Sequence, residues 1–457
     1  MVEEGAQRLS RNQLAVCVDF GSTFTKASLV DLAAGRILAR VEHPTTLPVS
    51  TGTADLLDGY DACLADLTRA DPRAADAEVL ACSSAGGGLR IAVVGNEELV
   101  TAEAGRRVAL SSGGKVVSVT AAARGVVQEQ LGDPDVVLLT GGTDGGNAEA
   151  ITTAARDLVA IGWTGPVVVA GNVEAQSAVS DALGDVPHVL ADNVVPRIGV
   201  LAPESARAAI REMFLAHVIG GKHLSARPDF TEMIRGATPD IVLTGVEVLA
   251  EQAGDVVVVD VGGATTDVHS VVRLDPEDAG LSREVVATTP VSRTVEGDLG
   301  MRWSAVSTAH EAGLDDLRDA AVRRAADTGF VPSTDHEHEE DESLAAAAAG
   351  LALRRHAGRS RVVVSPQGRV VERSGKDLRE VRRLVGSGGV LRHGRPGVAE
   401  RVLGPSTGAD HEGGWQLPED PAVVVDSDYV LAAVGLLAGP EPDAAYRLAL
   451  TLLDHGA

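Results

Sequence analysis

An apolar strand that ends in an acid and runs straight into a glycine turn rich in hydroxyls can bind phosphate. This chain carries that arrangement at Asp19-Phe-Gly-Ser-Thr-Phe-Thr-Lys26 and again at Asp260-Val-Gly-Gly-Ala-Thr-Thr-Asp267. In the first, Gly21 lets backbone N–H groups converge on an anion, Ser22, Thr23 and Thr25 add hydroxyls, and Lys26 adds a point charge. Asp19 cannot itself hold phosphate. A carboxylate belongs there when a hard cation that keeps its waters lies between acid and phosphate, which is how Mg²⁺ is commonly bound. Asp260, with Gly262, Gly263, Thr265, Thr266 and Asp267, repeats the logic, so Asp19 and Asp260 are the candidate metal ligands. Either turn alone is equally what an ordinary hairpin satisfying its own backbone would show. Two in succession point to a nucleotide held between two halves of the chain.

A third glycine cluster follows at Arg383-Leu-Val-Gly-Ser-Gly-Gly-Val-Leu-Arg392. Gly386, Gly388 and Gly389 would let backbone approach a ribose or α-phosphate at a helix start, although a plain strand-to-helix turn has the same composition. Gly113-Gly114-Lys115 lacks the spacing of a P-loop. Three lesser candidates carry two readings each. Asp144 meets a ligand at a strand end or merely closes a tight turn before Asn147. Glu296 and Asp298 position an attacking water, which gives Glu296 a candidate catalytic role beside Asp19 and Asp260, or they are solvated loop acids. His336 and His338 hold a metal or belong to a charged run, and the charged run is favoured. Phosphoryl chemistry of this kind needs positioning and charge neutralisation rather than a covalent nucleophile.

The elements that must place these residues alternate between strand and helix. Residues 13–18, 26–31 and 36–43 read as strands and 53–70 as a helix covering them. Residues 79–83, 136–140, 167–170 and 188–191 read as short parallel strands with helices between them, a doubly wound pattern over about 78–193. Residues 202–219 and 239–252 read as helices, and strands resume after the second turn as far as residue 289. The acidic stretch 334–342 reads as a solvated surface loop, with a helix from 345 to 356. The expected organisation is a frayed 1–13, a first domain at 14–250, a second at 251–427 and a helical segment, 428–457, packing back on the first. The fold class is α/β.

Composition narrows the partners. A formal charge of −25 opposes a phosphodiester backbone, so nucleic acid is not an expected partner. Aromatic residues are 2% of the chain, which leaves cores of Ala, Val, Leu and Ile. Cys17, Cys63 and Cys82 lie far apart among apolar residues and suit reduced core thiols, hence a cytoplasmic compartment. No apolar run approaches the roughly 20 residues of a spanning helix, so no membrane is expected.

The ordered triplet of motifs resembles the phosphate 1, phosphate 2 and adenosine motifs of the actin, Hsp70 and sugar-kinase superfamily. Within it, Thr140-Gly-Gly-Thr-Asp-Gly-Gly-Asn147, Thr294-Val-Glu-Gly-Asp-Leu-Gly-Met-Arg302 and Asp428-Tyr-Val-Leu-Ala-Ala-Val-Gly-Leu-Leu437 make nearly the whole chain similar to MutL-type accessory proteins of glutamate mutase. That resemblance implies two ribonuclease-H-like domains around a Mg-ATP cleft, the first enlarged by the αβ insertion. It further implies weak ATPase activity in the service of an adenosylcobalamin-dependent mutase whose subunits are the partners. A homo-oligomer stays open. A small-molecule kinase and a non-catalytic nucleotide-binding partner are the alternatives, since fold does not fix function.

Overall fold

A computed structural model describes residues 13–47, 55–85, 88–122, 125–219, 223–273, 289–365 and 368–454. The chain forms two compact units, the first made of Met1–Gly245 with Ala432–Leu448 and the second built mainly from Thr288–Leu431 and the stretch that begins at Val246.

In the first unit, β1 (Leu14–Phe20) is buried at every position, as a strand covered on both faces must be. Strands β2 (Phe24–Asp31) and β3 (Arg36–Pro44) run back and forth beside it, and β4 (Glu78–Ser83) lies parallel on its other side. The helix Leu56–Ala70 starts at a capping box between Asp55 and Asp58, and it buries Leu56, Leu57, Tyr60, Cys63 and Leu67.

The insertion follows as five short strands, β5 (Leu89–Gly95), β6 (Gly114–Ala121), β7 (Val136–Leu139), β8 (Val167–Val169) and β9 (His188–Leu190). All pairs are parallel and the order is β6-β5-β7-β8-β9, that of a flavodoxin-like doubly wound sheet. Helices Glu149–Ala160 and Gln176–Leu183 pack on one face through Ile151, Leu158, Val179 and Leu183. Helices Glu103–Ser111 and Glu204–Met213 cover the other, which merges into the core beneath β1. Two of these strands, β5 and β6, are not among those expected from the sequence: Arg90 interrupts β5, and β6, at the sheet edge, mixes Lys115, Ser118 and Thr120 with its apolar residues. The strand at Glu78–Ser83 pairs with β1, so the inserted sheet begins at Leu89. Strand β10 (Ile234–Ala237) then pairs with β4 and completes the order β10-β4-β1-β2-β3.

The second unit repeats that sheet. Strands β11 (Val256–Val261), β12 (Thr266–Val271) and β13 (Val291–Glu296) are antiparallel neighbours. A separate hairpin of β14 (Arg359–Ser365) and β15 (Gly368–Ser374) precedes β16 (Arg383–Ser387) and β17 (Ala422–Val425). The order is β13-β12-β11-β16-β17, with two antiparallel pairs followed by two parallel ones. Both five-stranded sheets therefore have the ribonuclease-H-like arrangement, and both put the acid-to-glycine turn between their first two strands. The strand expected to reach residue 289 falls largely outside the described residues.

The acidic stretch 334–342 is not a loop. Thr334 and Glu337 form a capping box that starts a 22-residue helix, Asp335–His356. Its residues Glu340, Asp341 and Glu342 are buried. Their charges are met by arginines distant in sequence: Arg323 and Arg324 on Glu340, Arg324 and Arg302 on Asp341, and Arg395 and Arg401 on Glu342. A local run of like charge reads as solvated only while its counter-charges are out of sight.

The three cysteines are free and buried. Burial pushes the Cys17 and Cys63 thiols up to about 12. Among the described residues no helix is long and apolar enough to cross a membrane, and no group of acids, histidines and cysteines could alone hold a metal ion.

Candidate functional site

The two turns share one construction. Gly21 donates its N–H to the Phe24 carbonyl at 3.1 Å, and Gly262 donates to that of Thr265 at 2.9 Å. A Cβ at Gly21 would stand 2.7 Å from the Phe24 oxygen, and one at Gly262 would stand 2.8 Å from the Thr265 oxygen. Glycine is thus demanded first by closure of the hairpin itself. Gly263 is freer, its nearest neighbour to an added Cβ being Arg302 at 3.6 Å. Ser22, Thr23, Gly263 and Ala264 are exposed at the two tips.

Cross-strand register sets the acids. Asp19 faces Lys26 across the first hairpin, whereas Asp260 faces Asp267 across the second. Asp19 is 4% exposed and has Lys26 Nζ at 3.8 Å. Its Oδ1 accepts from the Thr238 hydroxyl at 2.5 Å and from Cys82 Sγ at 3.6 Å. Burial, and after it the Asp19 charge, push the Cys82 thiol well above its usual range, so it stays a donor. Asp267 accepts from Arg293 Nη2 at 2.6 Å and from the Thr265 hydroxyl at 3.0 Å. That partnership makes Asp267 a brace for its own turn.

Two motif hydroxyls point inward. Thr25 is fully buried and meets the Thr45 hydroxyl at 3.2 Å. Thr266, its counterpart in register, is fully buried with its hydroxyl unpartnered. Glu296 ends β13 with its carboxylate 2.7 Å from Arg355, which also binds Asp298 at 2.7 and 2.9 Å. For Glu296 to take a proton from water, Arg355 must first leave it. Asp144 accepts from Val173 N–H and from Asn193 Nδ2, so it fixes its own loop, and Asn147 accepts from the first N–H groups of the helix Glu149–Ala160. His336 and His338 stand in the first turns of the Asp335–His356 helix, and His336 contacts Glu340 at 3.5 Å.

At the third cluster the glycines divide. Gly388, at φ 104°, lies against β11, with an added Cβ 2.1 Å from the Val261 oxygen. Gly386 is covered by Leu391 and Leu403. Gly389 is exposed, with nothing within 4 Å of an added Cβ, and opens the short helix Gly389–Arg392.

Asp426 has no place in the sequence reading. It is 1% exposed, donates its N–H to the Gly386 carbonyl, and accepts from Val430 and Leu431 N–H at the start of the helix Val430–Leu437. Its capping role was hidden by the intervening Tyr429, whose φ of 57° bends the chain. Burial raises its carboxyl to about 6. A folded value above the unfolded one favours the protonated form, so its contribution to stability is complete below about 3.9 and is lost as pH rises through about 6. Asp426→Asn removes this titration. We expect the stability difference between variant and wild type to shift in the variant's favour by about 3 kcal/mol from pH 4 to pH 7, read from urea midpoints.

A carboxylate that ends a strand beside a glycine turn has the chemistry of a ligand for a hydrated divalent cation, and each unit carries one, Asp19 in the first and Asp260 in the second.

The chain matches the model of the MutL protein family over residues 15–453. It is 35% identical over 456 residues to Protein MutL of Clostridium tetanomorphum, covering 94% of this chain and 97% of that one. Among solved structures, nucleotide-free acetone carboxylase is 15% identical over 93% of this chain and 70% of its own, with a TM-score of 0.40. Xylulose kinase of Lactobacillus acidophilus is 13% identical over 96% of both chains, with a TM-score of 0.33. The family match starts one residue into β1 and ends in the last helix, Pro442–Asp454, so it takes in both ribonuclease-H-like sheets and the inserted one: the chain belongs to the MutL protein family.

Proposed function

We propose that this chain is a Mg-ATP-binding accessory factor that reactivates an adenosylcobalamin-dependent mutase, glutamate mutase being the first to try. The observation that carries the reading is the duplication of an acid-ended strand and glycine turn, once in each unit. Asp19 and Asp260 hold the cation, the amides of both turns receive the phosphates, and Gly389 admits the sugar end. The cation, when bound, neutralises phosphate charge. Membership of the MutL family supports the mutase as client, and the flavodoxin-like insertion is the surface assigned to it. Binding energy that differs between ATP and ADP forms would switch affinity for the mutase.

The test uses a mutase holoenzyme inactivated to its hydroxocobalamin form, mixed with this protein, Mg-ATP and free adenosylcobalamin. Activity is expected to return with ATP and not without it. Asp19→Asn and Asp260→Asn are each expected to weaken Mg-ATP by about tenfold or more and to abolish recovery. ATP turnover that rises with one small metabolite, without cobalamin release, would replace this reading with a kinase.

A further inference from the structure

The chain does not leave the sheet after its third strand in either unit; it folds over the turn and takes hold of that turn's carbonyls. Beyond β3, Thr45 donates its N–H to the Thr23 oxygen at 2.8 Å and its hydroxyl to the Gly21 oxygen at 2.9 Å. Since the single Thr45 hydroxyl proton goes to Gly21, the buried Thr25 hydroxyl must be the donor in the 3.2 Å contact with Thr45. Beyond β13, Met301 N–H donates to the Gly262 oxygen at 3.0 Å, Arg302 N–H to that of Gly263 at 2.7 Å, and the Ser304 hydroxyl to that of Ala264 at 2.7 Å. Different residues perform the same act at equivalent places in two repeats.

The consequence follows from peptide geometry. A planar trans peptide points the carbonyl of one residue and the N–H of the next in opposite directions, and no cis peptide occurs among the described residues. Carbonyls of Gly262, Gly263 and Ala264 drawn to one side therefore send the N–H groups of Gly263, Ala264 and Thr265 to the other. Carbonyls of Gly21 and Thr23 drawn to Thr45 likewise direct the N–H groups of Ser22 and Phe24 away from it. Successive amides aimed together make an anion-binding nest.

We propose that the segments after β3 and β13 are clamps that aim the turn amides at a polyphosphate, with Thr45 the positioning residue of the first turn and Met301 to Ser304 that of the second. None of these residues belongs to a phosphate motif. The second clamp is built to approach closely: an added Cβ at Gly300 would stand 2.7 Å from the Ala264 carbonyl carbon and 2.8 Å from the Gly263 oxygen. It is also anchored from behind, since the Arg302 guanidinium donates to the Phe330 carbonyl at 2.8 Å and to Asp341 at 3.2 Å. Thr25 acts one step further back, through Thr45.

This inference rests on the nucleotide reading above, and its test separates the two. Mg-ATP, Mg-pyrophosphate and adenosine are titrated by calorimetry into the full chain, Thr45→Val and Thr45→Ser, with thermal melts alongside. Valine keeps the shape and loses the hydroxyl donor; serine keeps the donor. Thr45→Val is expected to weaken Mg-ATP and Mg-pyrophosphate about tenfold, to leave adenosine unchanged, and to be rescued by serine. Gly300→Ala supplies the same test at the second turn should the valine variant not fold. Wild-type affinity for Mg-pyrophosphate in both variants, or an equal loss for adenosine, overturns the clamp. Pyrophosphate binding without ATP binding keeps the clamp and sinks the nucleotide reading, and binding of neither by wild type sinks both.

Discussion

Asp341→Ala is expected to cost the second unit about 3–5 kcal/mol, the range for breaking a buried ion pair from one side. The reason is Arg324, which has no exposed surface. Its guanidinium donates to Asp341 at 2.5 Å, contacts Glu340 at 2.9 Å, donates to the carbonyls of Ala320 and Glu337, and lies 4.6 Å from the Phe330 ring centroid. Removing Asp341 strips the shortest contact and leaves a buried cation leaning on Glu340, which Arg323 also claims. Arg302 loses a partner at the same stroke, so the loss should reach Mg-ATP affinity as well as the urea midpoint. Arg318→Ala breaks an exposed pair with Asp315 and should leave both unchanged. A urea midpoint for Asp341→Ala at the wild-type value would show that the network contributes no net stability. Next along the helix, Glu342 is forked by two arginines, Arg401 foremost, which hold its carboxyl down to about 2. A depressed folded value means that its stabilisation stands above about 4.5 and is lost only as pH falls through about 2.

This network marks where sequence reading stopped. Strands β1, β2 and β3, the two acid-ended turns and their order were legible, because an all-apolar run ending in Asp-x-Gly is a local signal. The helix Asp335–His356 carried a local signal too, the Thr334 and Glu337 capping box, yet eight charged or histidine side chains between 335 and 342 outweighed it. The three of them that are buried, Glu340, Asp341 and Glu342, are met by five arginines spread over residues 302–401. Thr45 was illegible for a related reason: its partners Gly21 and Thr23 lie more than twenty residues earlier, and a pair of threonines after a strand announces nothing. Strands β5 and β6 were not legible because polar residues interrupt them, Arg90 in the one and Lys115, Ser118 and Thr120 in the other, and Asp426 because the bend at Tyr429 separates the cap from its helix. Local chemistry was readable, and chemistry completed by tertiary contact was not.

The glycines of the third cluster, alike in sequence, are expected to respond to alanine in a fixed rank. Gly388→Ala should cost about 3 kcal/mol or more, because two penalties add. Its φ of 104° is a conformation that residues with a side chain rarely adopt. Its new Cβ would also stand 2.1 Å from the Val261 oxygen and 2.8 Å from the Val261 carbonyl carbon, and backbone at a strand end cannot rotate away as a side chain can. Relief requires β11 and β16 to part where Asp260 is in register with Ser387. That movement carries Asp260 with it, so metal-dependent ATP affinity should fall together with stability. Gly386→Ala meets only Leu391 Cδ1 at 2.7 Å and Leu403 Cδ1 at 2.8 Å, which are ends of flexible side chains, and an intermediate loss is expected. Gly389→Ala meets nothing and sits at a helix start, where alanine is favoured over glycine, so stability should hold or rise slightly. If Gly389 is where the sugar approaches, its alanine variant loses ATP affinity while keeping its urea midpoint. Parallel urea melts and ATP titrations of the three variants separate the roles: stability should fall most at Gly388, and affinity should fall without stability only at Gly389. Equal stability losses at Gly388 and Gly389 would mean that the close approach of β16 to the Val261 carbonyl does not constrain the fold.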